Sequence, residues 1–297
     1  MNKHCFFWQA AFVAAIFFSI CSSCGYSVPD STKPDATNTN ASPLPDQKTE
    51  QRAADAGDLK FRYQERKEGD PEKTDRAVGG NPEAIEKLIS ELNQRLSLPY
   101  DMTVSLEDCE TPDAYYDPEN HQIAICHQLI DSFYFLFAKK IKDKSKLDRA
   151  AKGATVATFF HELGHGLIDA WKIPTTGREE DAVDQLSTLV LIEATEDGAQ
   201  MALEGAVSFK LHADFEKGEK IYWDEHSLDE QRFFDTICLV YGHDEEKYGY
   251  LVKDGTLPEE RAQFCSEDYE KVSNSWRKLL APYLKHEAKP PPKLNLR

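Results

Sequence analysis

Thr155-Val-Ala-Thr-Phe-Phe-His-Glu-Leu-Gly-His-Gly-Leu-Ile-Asp-Ala-Trp171 is the stretch that decides the fold of this chain. Read at a helical period, Val156, Phe160, Leu163, Leu167 and Trp171 form an apolar stripe, which predicts a helix packed on a core. His161 and His165 border that stripe. Residues four apart on a helix lie on one face, one turn apart, so the two imidazoles can reach one metal ion. Glu162 sits beside them, placed to take a proton from a water that the metal activates. Zinc is the ion this pattern implies, because zinc lowers the pKa of water to about 7 and makes hydroxide available at neutral pH. Pro174 ends the helix. The plain alternative is a pair of surface histidines on an amphipathic helix, and the residues that follow weigh against it.

A catalytic zinc needs a third protein ligand and an open position. Thr176-Gly-Arg-Glu179 fits a capping box, with Thr176 as N-cap, so a second helix is expected to start here after a short turn. Two antiparallel helices joined this way bring the start of the second near the end of the first. The acidic run is Glu179, Glu180, Asp181 and Asp184. Glu179 is assigned to the cap and the acidic first turn. That leaves Glu180 as the freer ligand. Asp184, four residues on, suits acceptance of the N–H of a ligand histidine. Asp181 and Asp184 stay open as alternatives for the third ligand, with Glu193 and Glu196 further along. Oxyanion stabilisation could come from His226, Tyr241, His243 or Tyr248. His226 lies in Trp223-Asp-Glu-His-Ser-Leu228, a loop able to fold over the metal, but a surface or capping role weighs equally.

The frame around these residues follows from composition. The chain has 297 residues, 40% hydrophobic, enough for a real core. A net charge of −17 repels phosphate backbones and argues against nucleic acid as a partner. Residues 1–24 read as an export signal: Lys3, an apolar run from Phe6 to Ile20, then Ser22-Ser23-Cys24, which resembles the end of a bacterial lipobox. Cys24 would then carry a lipid anchor; a plain signal peptide and a retained anchor are the alternatives. The expected location is the cell envelope, or secretion. Residues 25–75 are expected to be a disordered tether, 76–285 the folded domain and 286–297 a flexible tail. Within the tether, Leu59 to Tyr63 alternates like a short strand.

In the domain, Asn81 reads as an N-cap with Pro82 at the first helical position, and that helix runs to about Leu96. Met102 to Leu106 reads as a strand, Asp117 to Asn120 as a turn and Gln122 to Cys126 as the returning strand. A helical majority follows. The expected class is α+β, a small antiparallel sheet followed by helices. Of seven cysteines, Cys5 and Cys21 would leave with the leader and Cys24 would be acylated. Four remain, an even set in an oxidising compartment, and Cys109–Cys126 and Cys238–Cys265 are the favoured pairs because each brackets a short segment.

Phe160 to Asp169, then Gly177-Arg-Glu-Glu-Asp-Ala-Val-Asp-Gln185, resembles a metallopeptidase family long catalogued as a domain of unknown function. Ala114 to Pro118, Ile123 to Cys126 and the segments Gln231-Arg-Phe-Phe and Cys238 to Gly242 carry the same resemblance, over about residues 75 to 280. Glu180-x-x-x-Asp184 after the histidine pair is also similar to the gluzincin pattern. The resemblance implies a zincin-like domain, zinc held by His161, His165 and Glu180, Glu162 as general base, and hydrolysis of a peptide or protein substrate. It also makes Gln122–Cys126 the candidate edge strand for pairing with extended substrate. The alternatives are an exported zinc-binding protein without turnover, a cell-wall amidase-type hydrolase, and a tethered envelope binding protein.

Overall fold

A computed structural model describes residues 53–67, 82–195, 197–215, 218–285 and 293–294. The leader, Cys24, the stretch to residue 52 and the Asn81 cap lie outside the described residues.

The described strands are β1 (Leu59–Tyr63), β2 (Met102–Glu107), β3 (Ala114–Asp117) and β4 (Gln122–Cys126). They form one sheet in the order β1-β2-β4-β3. The expected antiparallel sheet is in fact mixed: β1 and β4 both run parallel to β2, and only β3 and β4 pair antiparallel. The reason is β3, a four-residue strand too short to stand out in the sequence. It takes the hairpin partnership with β4 that the sequence assigns to β2. The turn itself lies where expected. Asp117 Oδ1 accepts the backbone N–H groups of Glu119 and Asn120, and His121 closes the turn at φ 50°. The same topology corrects the edge assignment. Gln122–Cys126 is flanked on both sides, and β3 is the outer strand.

The helices are α1 (Pro82–Asn93), α2 (His127–Ala138), α3 (Lys144–Trp171), α4 (Glu179–Ala194), α5 (Gly198–Phe215), α6 (Asp229–His243), the short α7 (Glu245–Tyr248) and α8 (Tyr250–Lys253), and α9 (Glu259–Leu280). The class is α+β, with a helical majority after the sheet, as the sequence implies. The 28-residue α3 is the central element: the sheet, α2, α4 and α5 all pack against it. Its stripe is fully engaged, for Val156, Phe160, Leu163, Leu167 and Trp171 are all buried. It stops at Lys172 in the left-handed conformation (φ 52°), with the Ile173 N–H bonded back to the Ile168 carbonyl, before Pro174. α1 ends at Asn93, short of Leu96, which instead bridges to Leu284.

Two boundaries differ from expectation. β1 falls inside the stretch read as tether, yet Leu59 is buried and its backbone is held from both sides by the Asn93 amide. At the other end, inside the expected tail, Leu294 is buried and its N–H bonds to the Ala194 carbonyl. Low-complexity composition around these short apolar segments hides them. Both expected disulfides are formed, Cys109–Cys126 and Cys238–Cys265. Among the described residues no helix is long and apolar enough to cross a membrane.

Candidate metal centre

His161 and His165 stand on consecutive turns of α3 with ring centroids 5.0 Å apart. α4 returns antiparallel and sets Glu180, in its first turn, between them. Glu180 Oε2 lies 3.1 Å from His161 Nε2, and Oε1 lies 3.3 Å from His165 Nε2. The approach of the two helices has a local cause. A Cβ added at Gly164 would come 2.9 Å from Val183 Cγ1, so only a glycine leaves room for α4 at this distance. Gly166 does the same for the sheet: a Cβ there would meet Met102 Sδ at 2.7 Å.

The other imidazole nitrogens are braced. His161 Nδ1 donates to Asp184 Oδ1 at 2.7 Å, and His165 Nδ1 to Glu179 Oε1 at 2.8 Å. Asp184 is held in turn by a two-pronged contact from Arg232 of α6, Nε to Oδ2 at 2.7 Å and Nη2 to Oδ1 at 2.8 Å. The Arg232 guanidinium lies over the Phe209 ring, 3.9 Å from its centroid.

Asp184 thus takes the bracing position expected of it. Glu179 does not cap α4: the helix begins at Glu179 itself after Arg178, with no side-chain cap. Its carboxylate is engaged by His165 instead. Asp181 accepts from Ser227 Oγ at 2.7 Å, which ties it to the loop before α6. Glu193 is a latch between α4 and α9, bonded to Tyr269, Ser273 and Arg277. Glu196 lies outside the described residues.

His226 joins the group. Its Nε2 is 3.0 Å from Glu180 Oε2, its ring is stacked at 6.3 Å from that of His161, and its Nδ1 faces Asp224 Oδ1 at 3.3 Å. Arg178 holds the loop by bonding the His226 carbonyl at 2.9 Å. Of the other oxyanion candidates, His243 bonds Tyr269, Tyr248 is buried, and Tyr241 packs against the core. Arg232 and the bracing role of Glu179 carry no local sequence signal. The glutamate sits in a run that reads equally well as a helix start.

The cluster could hold a cation. Glu180 Oε2 is buried and has no hydrogen bond of acceptable geometry among the described residues, although two imidazoles surround it. Such an orphaned oxygen is costly unless something else occupies the space. Ligand atoms of His161, Glu180 and His226 all lie within 4.8 Å of one another. Two nitrogens and a carboxylate oxygen are a donor set that suits zinc. Burial would raise the Glu180 carboxyl, but the imidazoles of His161, His165 and His226 reverse this and hold it ionised. Burial likewise opposes charge on His161, yet Asp184 and Glu180 push it up to about 9. Asp184 stays at about 2 despite burial because Arg232 and His161 hold it there. Glu162 differs: burial pushes its carboxyl above the ordinary carboxylate range, its Oε1 is 4.0 Å from His161 Nε2, and no described residue donates a hydrogen bond to it.

Residues 63–280 match the sequence model of a family described as “Putative metallopeptidase”. The chain belongs to that family. No curated protein and no solved structure matches it. The match begins at Tyr63, the last residue of β1, and takes in β2, β3, β4 and every described helix through α9. Its family implies a metal, and the cluster around Glu180 is where one could be held.

Proposed function

We propose that this metallopeptidase is a zincin-like, zinc-dependent hydrolase of peptide bonds, with His161, His165 and Glu180 as metal ligands and Glu162 as general base. The buried, orphaned Glu180 oxygen facing imidazole nitrogens is the observation that carries the reading. Zinc, when bound, supplies a Lewis acid that acidifies a water and polarises a peptide carbonyl. The remaining work falls to side chains. Asp184 and Glu179 occupy the Nδ1 atoms of His161 and His165, which fixes the tautomer and aims both Nε2 atoms at the ion. Glu162 takes a proton from the attacking water and returns it to the leaving amine. Its raised proton affinity suits both halves of that transfer. His226, backed by Asp224, presents Nε2 to the same space and donates to the oxyanion that develops on the carbonyl. Substrate main chain would pair with the outer edge of β3, with which no described strand pairs. Two disulfides fit an exported protein, tethered through Cys24 in the cell envelope.

One observation favours a second reading. His226 is close enough to Glu180 to close the site as a fourth ligand, giving a metal-binding protein without turnover. Hydrolysis of casein by the zinc-loaded full chain separates the two. The wild type is expected to cleave it. Glu162→Gln is expected to keep its zinc and lose activity by about 10²-fold or more. Equal rates in both would remove Glu162 from its role, and no cleavage by either would favour the second reading.

A further inference from the structure

A cavity of about 590 Å³ opens directly from His161 and Glu162 and runs between α2, α3, α4 and α5. Its connection to the centre is helical geometry. Ala157 and Thr158 precede His161 and Glu162 by four residues, so the face of α3 that carries the chemistry continues into the cavity wall. Leu129 and Leu136 of α2 and Phe209 of α5 line it and are only half-buried, although each packs against the core. Phe135, at the mouth, is 62% exposed. Protein interiors seldom leave a void of this size beside apolar side chains, and ligand pockets fall in the range of about 300–1,000 Å³. Most of the charged groups in its wall are engaged: Asp184 with Arg232 and His161, Asp229 with His212. Glu162 and Asp113 leave that wall acidic.

We propose that this cavity is the specificity pocket of the site, taking one large apolar side chain of the peptide next to the bond that is cut. The proposal rests on the peptidase reading above. An acidic side chain is excluded twice, by desolvation against Leu129, Leu136 and Phe209 and by repulsion from Glu162 and Asp113. A basic side chain meets the first penalty alone. Ala157 lies in the wall one turn before His161, opposite Gly205 of α5, where an added Cβ would come within 2.8 Å of its own, and the space beside it accommodates Leu, Met or Phe.

The test has two arms. In the first, the zinc-loaded full chain cleaves a peptide library, and the cut sites are read by mass spectrometry. Large apolar residues are expected at one fixed position beside the cut, about tenfold or more over Asp and Glu. Ala157→Phe, with zinc content unchanged, is expected to shift that position toward Gly and Ala. Leu136→Ala, which enlarges the wall and serves if Ala157→Phe does not fold, shifts it toward Trp and Tyr. Cuts without an apolar preference at any position, or variants that leave the preference unchanged, overturn the pocket. The second arm needs no turnover. Binding of N-acetyl-phenylalanine amide to zinc-loaded Glu162→Gln is followed by NMR line broadening. Saturable binding that Ala157→Phe abolishes supports the pocket even if no peptide is cut, in which case the peptidase reading alone falls. Binding no tighter than that of N-acetyl-aspartate amide overturns it.

Discussion

Glu204 is a second buried carboxyl, one the metal centre does not use. It sits on α5 against α3, and a Cβ at Gly153 would fall 2.1 Å from its Oε2, so the glycine makes the space it occupies. Arg149 and Gln200 serve Oε1 at 3.3 and 3.2 Å, but Oε2 has no hydrogen bond among the described residues. Burial raises its pKa to about 7 against the partial pull of Gln200 and Arg149. Between the ordinary carboxylate range and that value the folded chain holds a proton that the unfolded chain has released, so stability falls as pH rises through this window and is flat above it. From about pH 5 to about pH 8 the loss is on the order of 2–3 kcal/mol. Glu204→Gln has no such proton to lose. Urea unfolding at both pH values is expected to show the difference shrink by roughly that amount, and an unchanged difference would remove Glu204 as its source. At this scale His161, Glu162 and His165 are legible because the four-residue spacing is itself the geometry. Glu180 is legible because the helix it starts must return alongside α3. Arg232 is not, since 48 residues separate it from Asp184 and nothing local marks it as a partner.

Between elements, the fit of α4 against α3 decides whether a third ligand reaches the histidines. Gly164 lies inside the metal motif itself and faces Val183. Gly164→Ala raises helix propensity by about 1 kcal/mol and keeps every ligand, yet its Cβ must displace Val183 and so push α4 outward by a few tenths of an ångström. Overpacking of this kind costs about 1–3 kcal/mol. Zinc affinity is expected to fall with the stability, measured by competition with a chromogenic chelator. Unchanged affinity would mean that α4 is positioned by something else. The sheet shows where element-level reading fails. Alternation identifies β2 and β4, and side-chain acceptors identify the turn, but β3 has four residues, Ala-Tyr-Tyr-Asp, with no alternation to detect. Missing it turns a parallel pair into an apparent hairpin and an inner strand into an apparent edge. The disulfides were legible because each closes a short loop, 17 and 27 residues in sequence.

For the whole molecule, the folded body begins well before the point that composition suggests. Leu59 and the Arg66–Asp131 ion pair fasten residues 53–67 to the sheet and to α2, and the buried His127 donates its Nε2–H to the Gln64 carbonyl at 2.8 Å. A chain starting at residue 76 would leave β2 as an open edge, the Asn93 amide without its backbone partner and the Leu59 site empty. Burying a leucine contributes about 1.5–3 kcal/mol and an orphaned polar group costs about 1–3 kcal/mol. Against a typical total of about 5–15 kcal/mol, that chain is expected to melt far below one starting at residue 53, followed by circular dichroism. Equal melting temperatures would return this segment to the tether. The centre depends on this body being intact, because the sheet, α3, α4 and the loop before α6 each supply or support part of it. On the proposed reading one ion sits among His161, His165 and Glu180. The most direct measurement is the zinc content and dissociation constant of the purified full chain, beside Glu180→Gln and Glu162→Gln. One zinc per chain is expected in the wild type and in Glu162→Gln, with affinity reduced about 100-fold or more in Glu180→Gln. A wild-type chain that holds no zinc, or a Glu180→Gln variant that binds it as tightly as the wild type, would contradict the assignment.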